Sequence, residues 1–191
     1  MAERAFALGE WQSLRSTPEK ALPLPDLERA VQEVWAEFKN ACDLNSVVLN
    51  VHYDAVKFSK PNYLNTLAVA SRTMWLIGDT WVPAALLPEN LRYLGGSIDI
   101  DINPHVPNGW YLDTGQCNIG NHFDLKTVLR HEFLHGIGLS SSLRIQDGQE
   151  LVGFVSTGGT CAPFLMDTRM KTYDNYDVVD GCAVTSNVTI A

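Results

Sequence analysis

Residues 124–138 read DLKTVLRHEFLHGIG, and this stretch decides how the rest of the chain is interpreted. Its apolar residues recur every three or four positions, which predicts an α-helix with one buried face. It begins with an aspartate suited to cap a helix and ends in glycines that stop one. His131 and His135 are four residues apart, so both imidazoles project from the same side of the predicted helix.

The spacing of these histidines is the spacing that two ligands of one zinc ion need, and Glu132 lies between them. A catalytic zinc usually has three protein ligands and an open position for water. In that setting Glu132 is the expected general base. The alternative is an ordinary helix with two surface histidines and a solvated glutamate. The motif predicts one catalytic Zn²⁺ and hydrolysis of a protein or peptide substrate. Calcium is compatible with the sequence, but no pattern points to it.

Residues 131–141, HEFLHGIGLSS, resemble the metzincin signature H-E-x-x-H-x-x-G-x-x-H/D. His131, Glu132, His135 and Gly138 match it, whereas Ser141 stands at the third-ligand position. Residues 97–141 also resemble secreted bacterial-type metalloproteases with H-E-x-x-H-G-x-G-[FL]-S-S, which carry serine there as well. The resemblance implies a zinc endopeptidase of the α+β class. Its expected fold is a small mixed sheet packed on a backing helix and an active-site helix, followed by an irregular C-terminal subdomain.

The third zinc ligand is open, because a neutral serine hydroxyl is a poor ligand beside imidazole or carboxylate. Asp167 is slightly favoured, since residues 163–167 (PFLMD) resemble the methionine turn beneath a metzincin zinc. Met166 is then the methionine of that turn, although an ordinary core methionine is equally compatible.

Other residues compete for the third position, and a site that has lost its metal is a further alternative. A side-chain carboxylate from the C-terminal subdomain or a histidine from the loop before the helix could complete the site. A glutamate that binds the metal as in gluzincins is the least favoured candidate. These residues are Asp147, Ser141, His122, His105 and Glu150.

Three regions are expected along the chain: an N-terminal arm (1–25), a catalytic subdomain (26–138) and the irregular C-terminal subdomain (139–191). Apolar periodicity predicts a helix over residues 26–40. Alternating or β-branched runs predict strands over 46–53 and 97–103. A strand over 67–77 competes with a helix, and a short helix is expected over 83–94.

Isoleucines alternate with aspartates in residues 97–103, which predicts a strand with one dry and one wet face. A wet face suggests an edge position or a cleft margin. In metzincins the strand before the active-site helix pairs with an extended substrate, and the resemblance implies that role here. The predicted substrate-binding edge comprises Ser97, Ile98, Asp99, Ile100 and Asp101.

The bulk properties exclude some classes of protein. A net charge of −8 without a cluster of Lys or Arg argues against nucleic-acid binding. No apolar run is long enough for a membrane helix, and no signal peptide is visible. We expect one domain, acting as a monomer outside the cell, and a glycosylation sequon at Asn187 is compatible with secretion.

The chain has four cysteines and no C-x-x-C motif, which argues against a cysteine-based zinc site. An even number suits two disulfides, and three connectivities are open. We favour Cys161–Cys182, which would tie down the loop-rich tail, together with Cys42–Cys117. Four free thiols in a cytosolic protein are the alternative.

A second function is kept beside the enzyme: a proteolytically inactive metzincin-like module that binds a protein partner. Ser141 at the third-ligand position motivates it, and the intact Glu132 argues against it. Tyr173 or Tyr176 could assist an oxyanion, although a structural role is the more frequent one for a tyrosine.

Overall fold

The computed structural model describes residues 24–42, 44, 47–53, 55–63, 65–112, 120–141, 143–146, 150–153, 162–171, 175–180 and 183–184. These residues form helices and several small sheets, so the α+β class expected from the sequence is confirmed. In the described part of the chain no helix is long and apolar enough to cross a membrane.

The helices are α1 (Leu24–Ala41), the single turn α2 (Ala55–Phe58) and α3 (Leu125–Gly136). The main strands are β1 (Val47–Tyr53), β2 (Ala68–Arg72) and β5 (Gly96–Ile102). Shorter strands pair two by two: β3 (Met74–Ile77) with β4 (Thr80–Pro83), β6 (Trp110–Tyr111) with β7 (Phe123–Asp124), β8 (Leu143–Gln146) with β9 (Glu150–Gly153), and β10 (Val179–Asp180) with β11 (Ala183–Val184).

The three main strands form one sheet in the order β1-β5-β2. β1 runs parallel to β5, and β2 runs antiparallel to it. β5 is therefore the central strand, and the predicted edge position of residues 97–103 is wrong. Alternation of Ile and Asp reports which face of a strand is wet, but it does not report whether a neighbour pairs on either side.

The apolar face of β5 forms one side of the hydrophobic core. Ile98, Ile100 and Ile102 are at most 1% exposed and belong to one apolar cluster with both long helices. Phe133 of α3 stacks on Trp35 and Phe38 of α1, with ring centroids 5.4 and 5.3 Å apart. Because each such side chain contributes about 1.5–3 kcal/mol when fully buried, this cluster fixes α3 against the sheet.

The helix expected over 26–40 and the strands expected over 46–53 and 97–103 lie within a residue or two of those positions. The helix begins at Leu24, so the predicted arm ends two residues earlier. The strand expected over 67–77 is divided at Thr73 into β2 and β3.

The helix predicted over 83–94 is wrong, because two 3₁₀ turns, Ala84–Leu86 and Glu89–Leu94, occupy that stretch. Leu87 and Pro88 separate the turns in extended conformations. A proline disfavours the α conformation for the residue before it, so a continuous helix cannot pass this point.

The described part of the C-terminal region is attached to β4. The amide of Trp81 donates to the carbonyl of Pro163 at 2.8 Å, and Leu165 donates to Trp81 at 2.9 Å. A 3₁₀ turn, Asp167–Arg169, follows directly. The turn at 164–167 also lies close to the end of α3, because Leu165 and Met166 line a cavity together with Leu134 and Ile137.

Candidate metal centre

The start of α3 is fixed as its sequence indicates. The carboxylate of Asp124 accepts a hydrogen bond from the amide of Lys126 at 3.2 Å and another from the hydroxyl of Thr127. At the other end Gly136 lies against Ile98, and Gly138 has a φ of +109°. The helix thus stops one residue after His135, and the chain turns sharply there.

The rings of His131 and His135 converge on the same side of α3. Their Nε2 atoms are 3.0 Å apart, and the ring planes are nearly perpendicular at 87°. Two nitrogens bound to one zinc at about 2.0–2.1 Å lie a little over 3 Å apart in tetrahedral geometry. The 3.0 Å contact is that of a hydrogen bond between the two rings, and it is slightly shorter than the spacing of two ligands of one metal ion.

The orientation of His135 is held by the backbone. Its Nδ1 is 2.8 Å from the carbonyl oxygen of Leu139, which accepts a hydrogen bond and cannot donate one. Nδ1 therefore carries the proton, and Nε2 presents its lone pair. This is the tautomer that a metal-binding histidine needs, and a carbonyl partner of this kind is typical of metal sites.

Glu132 is 7% exposed, although it is charged and lies beside two more accessible histidines. Together with His131 it lines a cavity of about 330 Å³, whose other walls are Leu67, Ala68, Thr127 and Val128. Its carboxylate forms no hydrogen bond or ion pair with the described residues. Its oxygens are not among the buried polar atoms that lack a partner, so they face the cavity, and this position makes Glu132 a candidate for chemistry there.

Asp167 is not brought together with the two histidines. Within the described ranges no group of three His, Cys, Asp or Glu side chains could hold a metal ion. The carboxylate of Asp167 is completely buried and accepts hydrogen bonds from Ser141 Oγ at 2.5 Å and from the amide of Phe164 at 3.1 Å. Asp167 is therefore not grouped with the histidines in the described part of the chain, because its oxygens accept hydrogen bonds from Ser141 and Phe164, and its role as the third ligand stays a prediction.

The remaining candidate residues form other contacts, lie away from His131 and His135, or lie outside the described residues. Ser141 donates to Asp167 and accepts from the amide of Leu143 at 2.9 Å. His122 and His105 are exposed and form no metal-binding group with described residues. Asp147 and Tyr173 lie outside the described residues. Glu150 begins β9, its side chain lying outside the described set, and Tyr176 is 71% exposed.

Met166 lies inside the tight turn at residues 164–167, which the amide of Asp167 closes by donating to the carbonyl of Phe164, and it is 37% exposed. It lies in an apolar cavity of about 260 Å³ with Leu134 and Leu139, beside the last turn of α3. Met166 is therefore close to the histidine-bearing helix, and its role as a methionine turn stays a prediction.

The sheet edge beside the metal centre belongs to β2. Leu67 O accepts from Asn103 N, and Thr73 N donates to Ser97 O, both at 2.9 Å. Odd-numbered residues from 67 to 73 therefore face β5, so the amides and carbonyls of Ala68, Ala70 and Arg72 point away from it. Because Ala68 also lines the Glu132 cavity, the edge that passes the site is that of β2.

Cys42 is half-buried and forms no disulfide with another described residue. Cys117, Cys161 and Cys182 lie outside the described residues. The pairings Cys161–Cys182 and Cys42–Cys117 stay predictions.

No family model, curated protein or solved structure matches this chain.

The sequence did not reveal two features of the site. The carbonyl of Leu139 has no side-chain signature, so no pattern could have identified it. Arg72 did carry a signal, because it is the only charged residue between Lys60 and Asp79. Its guanidinium donates to Ser140 Oγ next to that carbonyl.

Proposed function

We propose that this chain is a zinc-dependent endopeptidase that acts outside the cell. The single observation that carries the proposal is the convergence of the His131 and His135 Nε2 atoms at 3.0 Å, with the tautomer of His135 set by Leu139. The described residues supply two ligands, and Asp147, which lies outside them, stays a candidate for the third. A zinc ion held there would supply a Lewis acid for the peptide carbonyl and lower the pKa of water.

Glu132 moves the proton in this proposal. Its carboxylate takes one proton from the attacking water as the water oxygen bonds to the carbonyl carbon. It then gives that proton to the amide nitrogen as the C–N bond breaks. The water oxygen stays on the new carboxyl group, so the products are one acid and one amine.

Among the described strands none pairs with the outer edge of β2, and this edge is suited to hold the substrate. Its outward amides and carbonyls can pair with an extended peptide, as in other complexes formed by strand addition. A peptide on this edge passes the cavity shared by His131 and Glu132. This assignment replaces β5, whose two sides are both paired.

The test is metal analysis combined with hydrolysis of quenched fluorescent peptides by zinc-supplied protein. We expect Glu132→Ala to keep one zinc per chain and to lose hydrolysis by about 10²–10⁴-fold, the usual contribution of a general base. His131→Ala and His135→Ala should lose both the metal and the activity. The matched control is His52→Gln, a histidine of β1 that is not a candidate ligand and should leave both unchanged. Full hydrolysis by Glu132→Ala would end the general-base assignment.

A second candidate is the inactive protein-binding module. The hydrogen bond from the Ser141 hydroxyl to Asp167 favours this module, because the residue at the third-ligand position of the signature then stabilises the fold instead of binding a metal. Zinc-free protein that hydrolyses no peptide but binds one would identify this module.

A further inference from the structure

Arg72 is a half-buried cation with only neutral partners. Its Nε donates to Met74 Sδ at 3.2 Å, its Nη2 donates to Ser140 Oγ, and its guanidinium lies over the ring of Phe164 at 5.5 Å. Among the described residues no carboxylate pairs with it. Burial lowers the pKa of the Arg72 guanidinium, because desolvation disfavours its charged form.

The known partners of Arg72 use few of its donors. A guanidinium carries five N–H groups, and the contacts with Met74 and Ser140 use two of them. A buried charge without an opposite charge is costly, so a purely structural link between β2 and Ser140 would be served better by a neutral side chain. The arrangement leaves a fork of donors that suits a carboxylate.

The position of Arg72 connects it to the candidate site. Arg72 is the last residue of β2, and Ala68, at the start of that strand, lines the cavity with His131 and Glu132. Four residues of extended chain span about 13 Å. A peptide on the edge of β2 that passes the cavity therefore reaches Arg72 within about four of its own residues.

We propose that Arg72 binds a carboxylate of the bound peptide, either an acidic side chain or the C-terminal carboxylate, within about four residues of the bond held at the His131–Glu132 cavity. The inference rests on the proposed function for the path of the peptide. It adds a preference for substrates with an anionic group on one side of the scissile bond.

The test uses zinc-supplied protein carrying Glu132→Ala in every arm, so that peptides stay intact. Fluorescein-labelled peptide pools are identical except for Glu or Gln at one fixed position, and each pool is made with a C-terminal acid or amide. Equilibrium binding is measured by fluorescence anisotropy. We expect one Glu position, or the C-terminal acid, to bind about ten- to a hundredfold tighter than its neutral counterpart.

Arg72→Met should bring that ratio to about one. Arg72→Lys should keep part of it, because an ammonium retains the charge but not the planar fork. The matched control is Arg29→Met, which removes the same charge from the exposed surface of α1 and should leave the ratio unchanged. Thermal melting checks the fold of each variant, and Arg72→Gln replaces Arg72→Met should the latter not fold.

A ratio of one at every position in protein with Arg72 intact would overturn the inference, whatever the variants do. A preference that survives in Arg72→Met or Arg72→Gln would overturn it as well. Tight binding of an acidic pool, together with no hydrolysis by zinc-supplied protein in which Glu132 is intact, would support the inference and count against the endopeptidase proposal instead.

Discussion

The Ser141 hydroxyl and the Asp167 carboxylate hold the segment that follows α3. Their hydrogen bond is 2.5 Å long, and Asp167 also accepts the amide of Phe164. Two residues before Ser141, the carbonyl of Leu139 fixes the ring of His135. The Asp167 carboxylate, a candidate ligand in the sequence, thus stabilises the backbone segment whose Leu139 carbonyl contacts His135.

Removing the Ser141 hydroxyl should leave a fully buried carboxylate short of one donor. We expect Ser141→Ala to lower the free energy of unfolding by about 1–3 kcal/mol, measured by urea denaturation. Ser71→Ala, an exposed serine on β2, is the control and should change it by less than about 0.5 kcal/mol. Asp167→Asn should likewise destabilise the protein while keeping its zinc. Loss of zinc from a folded Asp167→Asn protein would restore Asp167 as a ligand.

At the scale of elements, the sequence predicted the positions of those helices and strands whose apolar pattern is contained within one short segment. The stripes of α1 and α3 and the alternation in β1 and β5 follow from which side chains must be buried, so their positions could be predicted. The pairing partners of β5 depend on contacts distant in the chain. On its wet face Asp99 accepts hydrogen bonds from Asn50 of β1 at 2.8 Å and from Ser97 at 2.6 Å, which no alternation pattern announces.

Helix α1 also meets α3 through a polar contact at the surface. Arg130 donates to both carboxylate oxygens of Glu37 at 2.9 Å, and this hydrogen bonding lowers the pKa of Glu37. Because both side chains are about half exposed, the pair contributes little stability beside the apolar stacking on Phe133. The core, and not the ion pair, holds the two helices together.

The close approach of α3 to β5 gives a test at this scale. A Cβ at Gly136 would lie 2.4 Å from Cγ2 of Ile98, so the helix and strand must separate. We expect Gly136→Ala to cost about 1–3 kcal/mol of unfolding free energy, as overpacking usually does. In an Ile98→Ala background, which removes the clashing group, the same change should cost about nothing. An equal cost in both backgrounds would contradict this account of the packing.

At the scale of the whole molecule, the candidate site divides into local and distant parts. His131, Glu132 and His135 lie on α3, as the apolar periodicity predicted, and their role at a metal stays a prediction. A third ligand and a substrate edge would come from other segments, so their choice depends on contacts between segments distant in the chain. In the order β1-β5-β2, the strand at the edge beside α3 is β2, and Arg72 is its last residue.

The hydrogen-bonding groups on the edge of β2 predict which amides of a bound peptide contribute to binding. Its outward groups belong to Ala68, Ala70 and Arg72, so only every second residue of a paired peptide can form hydrogen bonds with the strand. N-methylation removes the donor and adds bulk at a single position. A series of quenched peptides, methylated one amide at a time, should therefore lose about tenfold in kcat/KM at alternate positions and little at those between.

The scissile amide is left unmodified throughout the series, and methylation at residues beyond the ends of β2 is the control. Losses with a period of two would distinguish strand addition from binding by side chains alone, because side-chain pockets do not respond to every second amide. The pattern should also survive Arg72→Lys, since the paired groups are backbone atoms. Losses that are uniform along the peptide, or absent, would remove β2 from the path of the substrate and return the search to other surfaces beside α3.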